Sequence, residues 1–295
     1  MTRAEQLTDP ITFHGEGAVW FPGADGGTGV LHLVDMLEGD VLTMLPGGGV
    51  HRRSVGKVAA VLRPRTAGGI VVANEHGFLV ADADAADPSG FGPLRTVASV
   101  IEDDSIRMNE GNADPAGAFY CGSMAWDASP ERGRLYRLDP DGSVTTVFPD
   151  ITISNGLGFT SDGATAYYVD TPTHRVDVLD WDAERGLHAR RPFVTVDEAD
   201  GNPDGLVVDA EGGVWVALYG GGAVRHYGPD GTLVDVIEIP GVQQITSVTL
   251  GGEAMDQLFV TTSRENLSDD EQPTAGAVFT APAGVRGQAP LPFAG

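Results

Sequence analysis

The segment Asn202–Leu218, NPDGLVVDAEGGVWVAL, sets the pattern that the rest of the chain repeats. It contains a short apolar run at Leu206–Val208, a polar group at Asp209–Gly212 and a second apolar run at Val214–Leu218. Val and Trp are frequent in strands, and an Asp-x-x-Gly group between two short apolar runs is typical of a tight turn. The segment therefore predicts a β-hairpin.

The same unit recurs along the chain, and stretches with helical periodicity are scarce. Other short apolar runs include Val30–Asp35 and Gln257–Thr262. Similar turn groups recur at intervals of roughly 45 residues, close to the 40 to 50 of a four-stranded propeller blade, at Asp114–Gly117, Thr160–Gly163, Asp209–Gly212 and Thr249–Gly252. A second turn series, at Asp139–Gly142 and Gly228–Gly231, makes each unit two hairpins. We predict an all-β, six-bladed β-propeller.

The predicted blades span 14–52, 55–98, 107–148, 155–196, 204–238 and 246–282, and the N-terminal segment is expected to add a strand that closes the ring. No linker divides the chain, so residues 1–295 are predicted to form a single domain. In a propeller the innermost strand of each blade lines a central channel, so polar residues at the starts of these strands converge on one axis.

Composition excludes several classes of function. With 18 Lys+Arg against 42 Asp+Glu, the net charge of −24 repels phosphate backbones and anionic lipids, so neither a nucleic acid nor a membrane is expected as a partner. No run of about 18 apolar residues is present, and the first 20 residues lack the apolar centre of a secretory signal, so a cytoplasmic protein is expected. The single Cys121 is predicted to be a buried strand residue. We expect a small-molecule substrate and a monomer or weak homodimer.

Three oxygen-bearing residues stand just before predicted inner strands, and each is followed by Gly: Glu16 in GEGAVW, Asn155 in SNGLGF and Asp204 in NPDGLV. Taken singly, Asn-Gly and Pro-Asp-Gly are ordinary turn groups. Together around one axis they supply two carboxylates and an amide carbonyl, a hard-oxygen set suited to Ca²⁺, Mg²⁺ or Mn²⁺, and Zn²⁺ also binds such sets by affinity. The sequence therefore predicts a divalent-cation site in the central channel.

Four groups of residues follow one another between residue 15 and about residue 262: Gly15–Trp20, Arg107–Gly111 with Gly122–Met124, Ser154–Leu157 with Tyr168–Thr171, and Pro203–Gly205 with Trp215–Ala217. In this order and spacing they resemble the gluconolactonase, senescence-marker-protein (regucalcin) and luciferin-regenerating-enzyme family. The resemblance implies a six-bladed propeller with one catalytic divalent cation, Ca²⁺ being the first choice, held by Glu16, Asn155 and Asp204. It further implies that Arg107 and Asn109 bind the substrate.

The chain departs from the family pattern after Met124, where Ala125-Trp126-Asp127 follows. Sugar lactonases of the family often carry an acidic residue here that contacts the substrate. We expect Trp126 to contact the substrate, and an aromatic side chain there favours a bulkier or less polar molecule. His14 and His76 are placed where they can reach the mouth of the channel, although a lone histidine is more often structural.

The resemblance implies hydrolysis of a lactone ring, with Asp204 as general base, Glu16 and Asn155 fixing the cation, and Arg107 and Asn109 orienting the substrate. The strongly acidic chain favours a neutral sugar lactone over a sugar acid or phosphate ester. Three alternatives stay open: a bulkier non-sugar lactone, organophosphate or specialised metabolite as substrate; a non-catalytic metal-binding propeller; and a metal-free propeller of the strictosidine-synthase type.

Overall fold

The short apolar runs form β-strands throughout the residues that the computed structural model describes, which are 2–23, 28–268 and 270–295. Two predicted runs have the predicted bounds, Val30–Asp35 and Gln257–Thr262. Three short 3-10 turns, Met36–Glu38, Thr171–Thr173 and Glu198–Asp200, are the helical elements assigned within these residues. None of the helices in the described ranges is long and apolar enough to span a bilayer.

In chain order the strands are β1 Thr2–Arg3, β2 Glu5–Gln6, β3 Gly15–Phe21, β4 Val30–Asp35, β5 Asp40–Met44, β6 Val50–Ser54, β7 Ala59–Pro64, β8 Ile70–Asn74, β9 Gly77–Ala81, β10 Arg95–Ser99, β11 Ile106–Ala113, β12 Phe119–Ala125, β13 Gly133–Leu138, β14 Val144–Ile151, β15 Ser154–Phe159, β16 Thr165–Asp170, β17 Arg175–Asp182, β18 Gly186–Thr195, β19 Asn202–Val208, β20 Val214–Tyr219, β21 Ala223–Tyr227, β22 Leu233–Glu238, β23 Ile245–Gly251, β24 Gln257–Thr262 and β25 Phe279–Pro282.

These strands form six sheets, numbered here as blades one to six from the innermost strand outward: β3–β6, β7–β10, β11–β14, β15–β18, β19–β22, and β23–β25 with β2. The predicted six-bladed β-propeller is confirmed, with each predicted boundary within a few residues. The N-terminal segment closes the ring, as predicted, because β2 pairs with β25 as the outer strand of blade six, and β1 adds in parallel to β22 of blade five.

The apolar core lies between neighbouring blades. One cluster, for example, packs Val169 and Val176 of blade four against Leu206 and Val216 of blade five. Cys121 is buried in β12, as predicted. Because each blade buries its faces against the next, the blades hold the inner strands in fixed positions around the channel.

All six inner strands carry a bulge in their pairing with the second strand of the blade. A bulge leaves residues unpaired and turns their side chains in a new direction. Glu16, Asn155 and Asp204 lie at the bulges of β3, β15 and β19. The prediction that these residues precede the inner strands is therefore corrected: they lie within the strands.

Glycine is required after two of these residues because the inner strands are so close together. A Cβ on Gly156 would lie 2.7 Å from the backbone nitrogen of Leu206 in the next inner strand. A Cβ on Gly205 would lie 2.8 Å from the carbonyl oxygen of Thr246. The glycines thus let blades four, five and six approach at the point where Asn155 and Asp204 face the channel.

The predicted turn aspartates are structural. Asp209 Oδ1 accepts hydrogen bonds from the backbone nitrogens of Glu211 (2.9 Å) and Gly213 (2.8 Å), and Oδ2 lies 3.0 Å from both Trp215 Nε1 and His226 Nε2. Asp114 has the same role in blade three, where it accepts from two turn nitrogens and from Tyr120 and Trp181. Each aspartate therefore joins a turn to the aromatic side chains beside it.

We expect Asp209→Ala to destabilise the fold by about 3 kcal/mol or more, because it leaves several buried donors without an acceptor. Burial raises the pKa of Asp209, but hydrogen bonds from His226, Trp215 and the turn outweigh it and leave the pKa below its ordinary value. This stabilisation is therefore present above about pH 4 and is lost as the pH falls through the lowered pKa. Urea unfolding of wild type and Asp209→Ala at pH 7 measures the difference in their free energies of unfolding. As a control, Asp230→Ala removes an exposed turn acceptor of Thr232 and should cost much less stability than Asp209→Ala. Equal losses in the two variants would contradict the structural role of Asp209.

The end of the channel opposite the Glu16–Asn155–Asp204 bulges is covered by the segment 288–293. Gln288 Nε2 donates to the carbonyl oxygens of Phe159, Val208 and Asp209 at 3.2, 3.1 and 2.9 Å. The buried Phe293 donates its backbone N–H to Pro64 O at 2.8 Å. This segment joins blades two, four and five and leaves a cavity of about 60 Å³ below the inner strands.

Candidate active site

The other end of the channel opens into a cavity of about 440 Å³. All six residues predicted from the sequence line it: Glu16, Arg107, Asn109, Trp126, Asn155 and Asp204. They come from blades one, three, four and five, so the ring brings together residues that are far apart in the sequence. The structure also places residues here that sequence reasoning did not assign to the site, among them Met124, Ile153, Thr171, Pro172, His174, Tyr219 and Glu265.

The three candidate cation ligands are oriented by neighbouring groups. Asn155 Nδ2 donates to Thr171 Oγ1 at 2.9 Å, and that hydroxyl donates to Pro203 O at 2.9 Å. This leaves Asn155 Oδ1 buried and without a hydrogen-bond partner, and Asp204 Oδ1 is buried and unpartnered in the same way. Glu16 Oε2 accepts from the Gly17 N–H at 2.9 Å.

These donors fit a divalent cation. A buried oxygen that has no partner is costly, and here two such oxygens stand beside a buried glutamate. Burial, and then the neighbouring charges of Asp204 and Glu110, raise the pKa of Glu16; burial and the charge of Glu110 raise the pKa of Asp204. Within the described ranges, no three His, Cys, Asp or Glu side chains form a metal cluster. The set consists of two carboxylates completed by the amide oxygen of Asn155.

Glu110 lies buried below the candidate cation ligands, on β11, and sequence reasoning did not single it out. Burial raises its pKa, while the positive charge of Arg63 acts in the opposite direction. Arg63 is fixed by Asn112 Oδ1 at 2.7 Å and by the carbonyl oxygens of Leu62 and Gly111 at 2.7 and 3.0 Å. Glu110 and Arg63 therefore form a charge pair through space beneath the site. The one sequence feature that could have pointed to Glu110 is its place inside the Arg107–Gly111 motif.

Arg107 is held on the wall of the cavity. One of its terminal nitrogens donates to Asn109 Oδ1 at 2.6 Å, and Asn109 Nδ2 donates to Ser154 O at 2.8 Å. The guanidinium lies 5.1 Å from the ring of Trp126, whose side chain is 45% exposed at the mouth. Burial lowers the pKa of Arg107, yet a guanidinium stays charged at neutral pH. Asp103, which is close to Arg107 in sequence, pairs instead with Arg132 at 3.0 Å.

Of the two histidines considered from the sequence, His14 lines the cavity. Its Nδ1 lies 2.8 Å from Ser263 Oγ, and burial together with the charge of Arg107 lowers its pKa to about 3, so the ring is neutral. His76 instead lies beside Glu75, at 3.8 Å, and is not among the cavity residues.

Glu265 corrects one sequence-based interpretation. The polar composition of Arg264–Pro273 indicates a loop carrying solvated charge, but Glu265 lines the cavity with its side chain 37% exposed. Its backbone N–H donates to Ser263 Oγ at 2.9 Å, which fixes the residue beside His14. No local pattern marks this position in the sequence, because it follows the second strand of blade six and not an inner strand.

Comparison with known proteins agrees with this architecture. Residues 14–264 match the family described as the SMP-30/Gluconolactonase/LRE-like region. The chain is 36% identical over 253 residues to pentonolactonase XacC of Haloferax volcanii, covering 84% of this chain and 81% of the relative. It is 32% identical to regucalcin of Xenopus laevis, covering 95% of each chain.

Two solved structures have the same fold. A luciferin-regenerating enzyme superimposes with a TM-score of 0.88 at 29% identity, covering 99% of both chains. Regucalcin from Agrobacterium tumefaciens, described as a calcium-binding protein, superimposes with a TM-score of 0.86 at 29% identity, covering 99% of this chain and 97% of the other. The chain belongs to the SMP-30/gluconolactonase/LRE-like family.

Proposed function

We propose that the protein hydrolyses the ring ester of a neutral sugar lactone with the help of one divalent cation, Ca²⁺ being the first choice. The observation that carries the proposal is the pair of buried, unpartnered oxygens of Asn155 and Asp204 beside Glu16, at the base of a 440 Å³ cavity with Arg107 on its wall. The size is within the range of small-molecule sites. The pentonolactonase relative and the match to the SMP-30/Gluconolactonase/LRE-like family support the same chemistry.

Glu16, Asn155 and Asp204 would hold the cation. When bound there, a divalent cation polarises the lactone carbonyl and lowers the pKa of water near it. The protein's own side chains carry out the proton transfers. Asp204 accepts the proton from the attacking water and returns it to the ring oxygen as the carbon–oxygen bond of the ester breaks. The products are a carboxylic acid and the hydroxyl released from the ring.

Arg107 orients the substrate. Its planar group of donors binds hydroxyl and carbonyl oxygens without any change in protonation. The side-chain oxygen of Asn109 accepts a hydrogen bond from Arg107, and one amide hydrogen is donated to Ser154 O. The main role of Asn109 is therefore to hold the guanidinium in place. Its second amide hydrogen is the one that it can offer to a ligand.

The exposed ring of Trp126 favours a second candidate substrate. Together with Met124, Ile153 and Pro172 it gives one side of the cavity an apolar surface. A lactone with an apolar face or a longer side chain would pack against this surface, gaining about 25 cal/mol for each Å² of apolar area buried. The same cation ligands and Asp204 would serve that reaction.

Both candidates are tested by acid release, followed with a pH indicator. The protein is stripped with EDTA and then supplied with Ca²⁺, Mg²⁺, Mn²⁺ or Zn²⁺, and the lactones are D-xylono-1,4-lactone, D-galactono-1,4-lactone, γ-butyrolactone and γ-nonanolactone. We expect hydrolysis to fall at least about 100-fold without metal, since polarising the carbonyl contributes several kcal/mol. Preference for the two sugar lactones supports the first substrate class, and preference for γ-nonanolactone supports the second. Rates equal to spontaneous hydrolysis with metal bound would reject both.

A further inference from the structure

Glu265 and Arg107 reach the cavity from opposite sides. Arg107 belongs to blade three, and Glu265 follows β24 of blade six, three blades away in a ring of six. The hydrogen bonds of Arg107 go to Met36, Met108 and Asn109. Of the acidic side chains, Glu265 nevertheless has the strongest electrostatic effect on the pKa of Arg107. Both charged side chains therefore border the space that a ligand would occupy.

Glu265 is a fixed anion with unused acceptor capacity. Its backbone is tied to Ser263, and its Oε2 lies 3.6 Å from His14 Nδ1. Because burial and Arg107 keep His14 neutral, this contact does not cancel the charge of the carboxylate. Tyr219 beside it is a neutral donor, since burial, Glu265 and Asp204 raise the pKa of its phenol to about 12. The wall formed by these residues offers a ligand one negative charge and one hydroxyl.

The charges around the cavity cancel when the proposed cation is present. This inference rests on the proposed function. The carboxylates of Glu16 and Asp204 balance a divalent cation, and Glu265 balances Arg107. Beneath them, Glu110 is balanced by Arg63. A neutral ligand completes this arrangement without excess charge. A ligand that carries a carboxylate adds a charge that faces Glu265, and in a confined site like charges repel strongly.

We propose that Glu265 is a specificity-determining residue that selects uncharged, hydroxyl-bearing lactones. Its carboxylate accepts a hydrogen bond from a substrate hydroxyl and disfavours substrates that carry a carboxylate group. It acts in the same way on the product, because hydrolysis turns the neutral ester into a sugar acid that ionises at neutral pH. The same side chain thereby favours binding of the neutral substrate and weakens binding of the sugar-acid product.

The test compares Glu265→Gln with the wild-type protein on D-xylono-1,4-lactone, which is neutral, and D-saccharic acid 1,4-lactone, which carries one carboxylate. We expect the ratio of kcat/KM for the neutral over the anionic lactone to fall about tenfold, the effect of removing one charge near the ligand. The change should lie in KM more than in kcat, since Glu265 is neither a proposed cation ligand nor the proposed base. Inhibition by the product D-xylonate should strengthen by a similar factor.

Glu253→Gln is the matched control. Glu253 is an exposed residue in the turn between β23 and β24, at the end of the blade away from the cavity. The Glu253→Gln variant loses the same charge far from the cavity, so its kcat/KM ratio for the neutral over the anionic lactone should stay unchanged. An equal shift in both variants would assign the effect to net charge and overturn the proposal.

Equilibrium binding separates this proposal from the proposed function. Calorimetric titration of the Ca²⁺-loaded proteins with xylitol and with D-xylonate reports the same charge preference without turnover. If no lactone is hydrolysed but Glu265→Gln still shifts binding toward xylonate, lactone hydrolysis is rejected and the role of Glu265 is supported. If lactones are hydrolysed with an unchanged neutral-to-anionic ratio, the role of Glu265 is rejected. Failure of both ligands to bind also rejects it.

Discussion

Asp204→Asn is expected to lower kcat for lactone hydrolysis by about 1,000-fold at saturating metal and substrate. The substitution keeps an oxygen that can bind the cation but removes the group that accepts the proton of the attacking water, and general base catalysis contributes about 10²- to 10⁴-fold. Steady-state rates across a metal titration separate weaker metal binding from loss of the base.

The control for this variant is Asp200→Asn, the same change four residues earlier in the chain. Asp200 ends a short 3-10 turn and pairs with Arg225 at 2.6 Å, and it is not among the residues that line the cavity. We expect its kcat to stay within about twofold of wild type. If Asp204→Asn also retained full kcat while still binding Ca²⁺, Asp204 would be a metal ligand alone, and its role as general base would be rejected.

Glu16→Gln is expected to change stability in opposite directions with and without metal. Without metal, Glu16, Asp204 and Glu110 confront one another in a buried site, so replacing one carboxylate by an amide should stabilise the fold by about 2 kcal/mol, or some 3 °C in Tm. With metal, the wild-type protein should gain about 2.7 kcal/mol at a Ca²⁺ concentration of 100 times Kd, and the variant should gain much less. Thermal melts in EDTA and in Ca²⁺ measure both effects.

The pH dependence of the same melts follows from the raised pKa values of Glu16 and Asp204. A carboxyl group whose folded pKa is raised holds its proton in the folded state after the unfolded chain has lost it. Above the ordinary value of about 4, this contribution therefore makes the metal-free protein less stable as the pH rises toward neutrality. Ca²⁺ should remove that trend. A variant that melts below wild type under both conditions would show that Glu16 acts by packing and not by charge.

The order of the blades follows from the sequence because turn chemistry is local. Asp114 and Asp209 each accept hydrogen bonds from the turn that they begin, so the spacing of such turns gives the spacing of the hairpins. The convergence of Glu16, Asn155 and Asp204 on one cavity also follows once each is placed on an inner strand. What could be predicted was therefore whatever depends on neighbours in sequence and on the symmetry of the ring.

The remaining features depend on contacts between distant segments. The bulges are features of the pairing between strands, so the direction of the Asn155 side chain does not follow from its own segment alone. Glu110 reads as one more residue of an apolar and polar strand until Arg63 of blade two is placed beside it. Glu265 lies in a polar stretch that resembles any surface loop. Its importance comes from facing Arg107, which is 158 positions earlier in the chain.

The closure of blade six has a consequence for how the chain folds as it is synthesised. Glu5 pairs with Thr280 and Gln6 with Phe279. Strand β2 is therefore synthesised near the start of translation, and its partner β25 follows only some 270 residues later. At about 5–20 residues per second, translation takes roughly 15–60 s to supply that partner. Earlier blades can form while the ribosome is still at work, but the ring closes only afterwards. Until then the outer edge of the last blade is open to pairing with another chain.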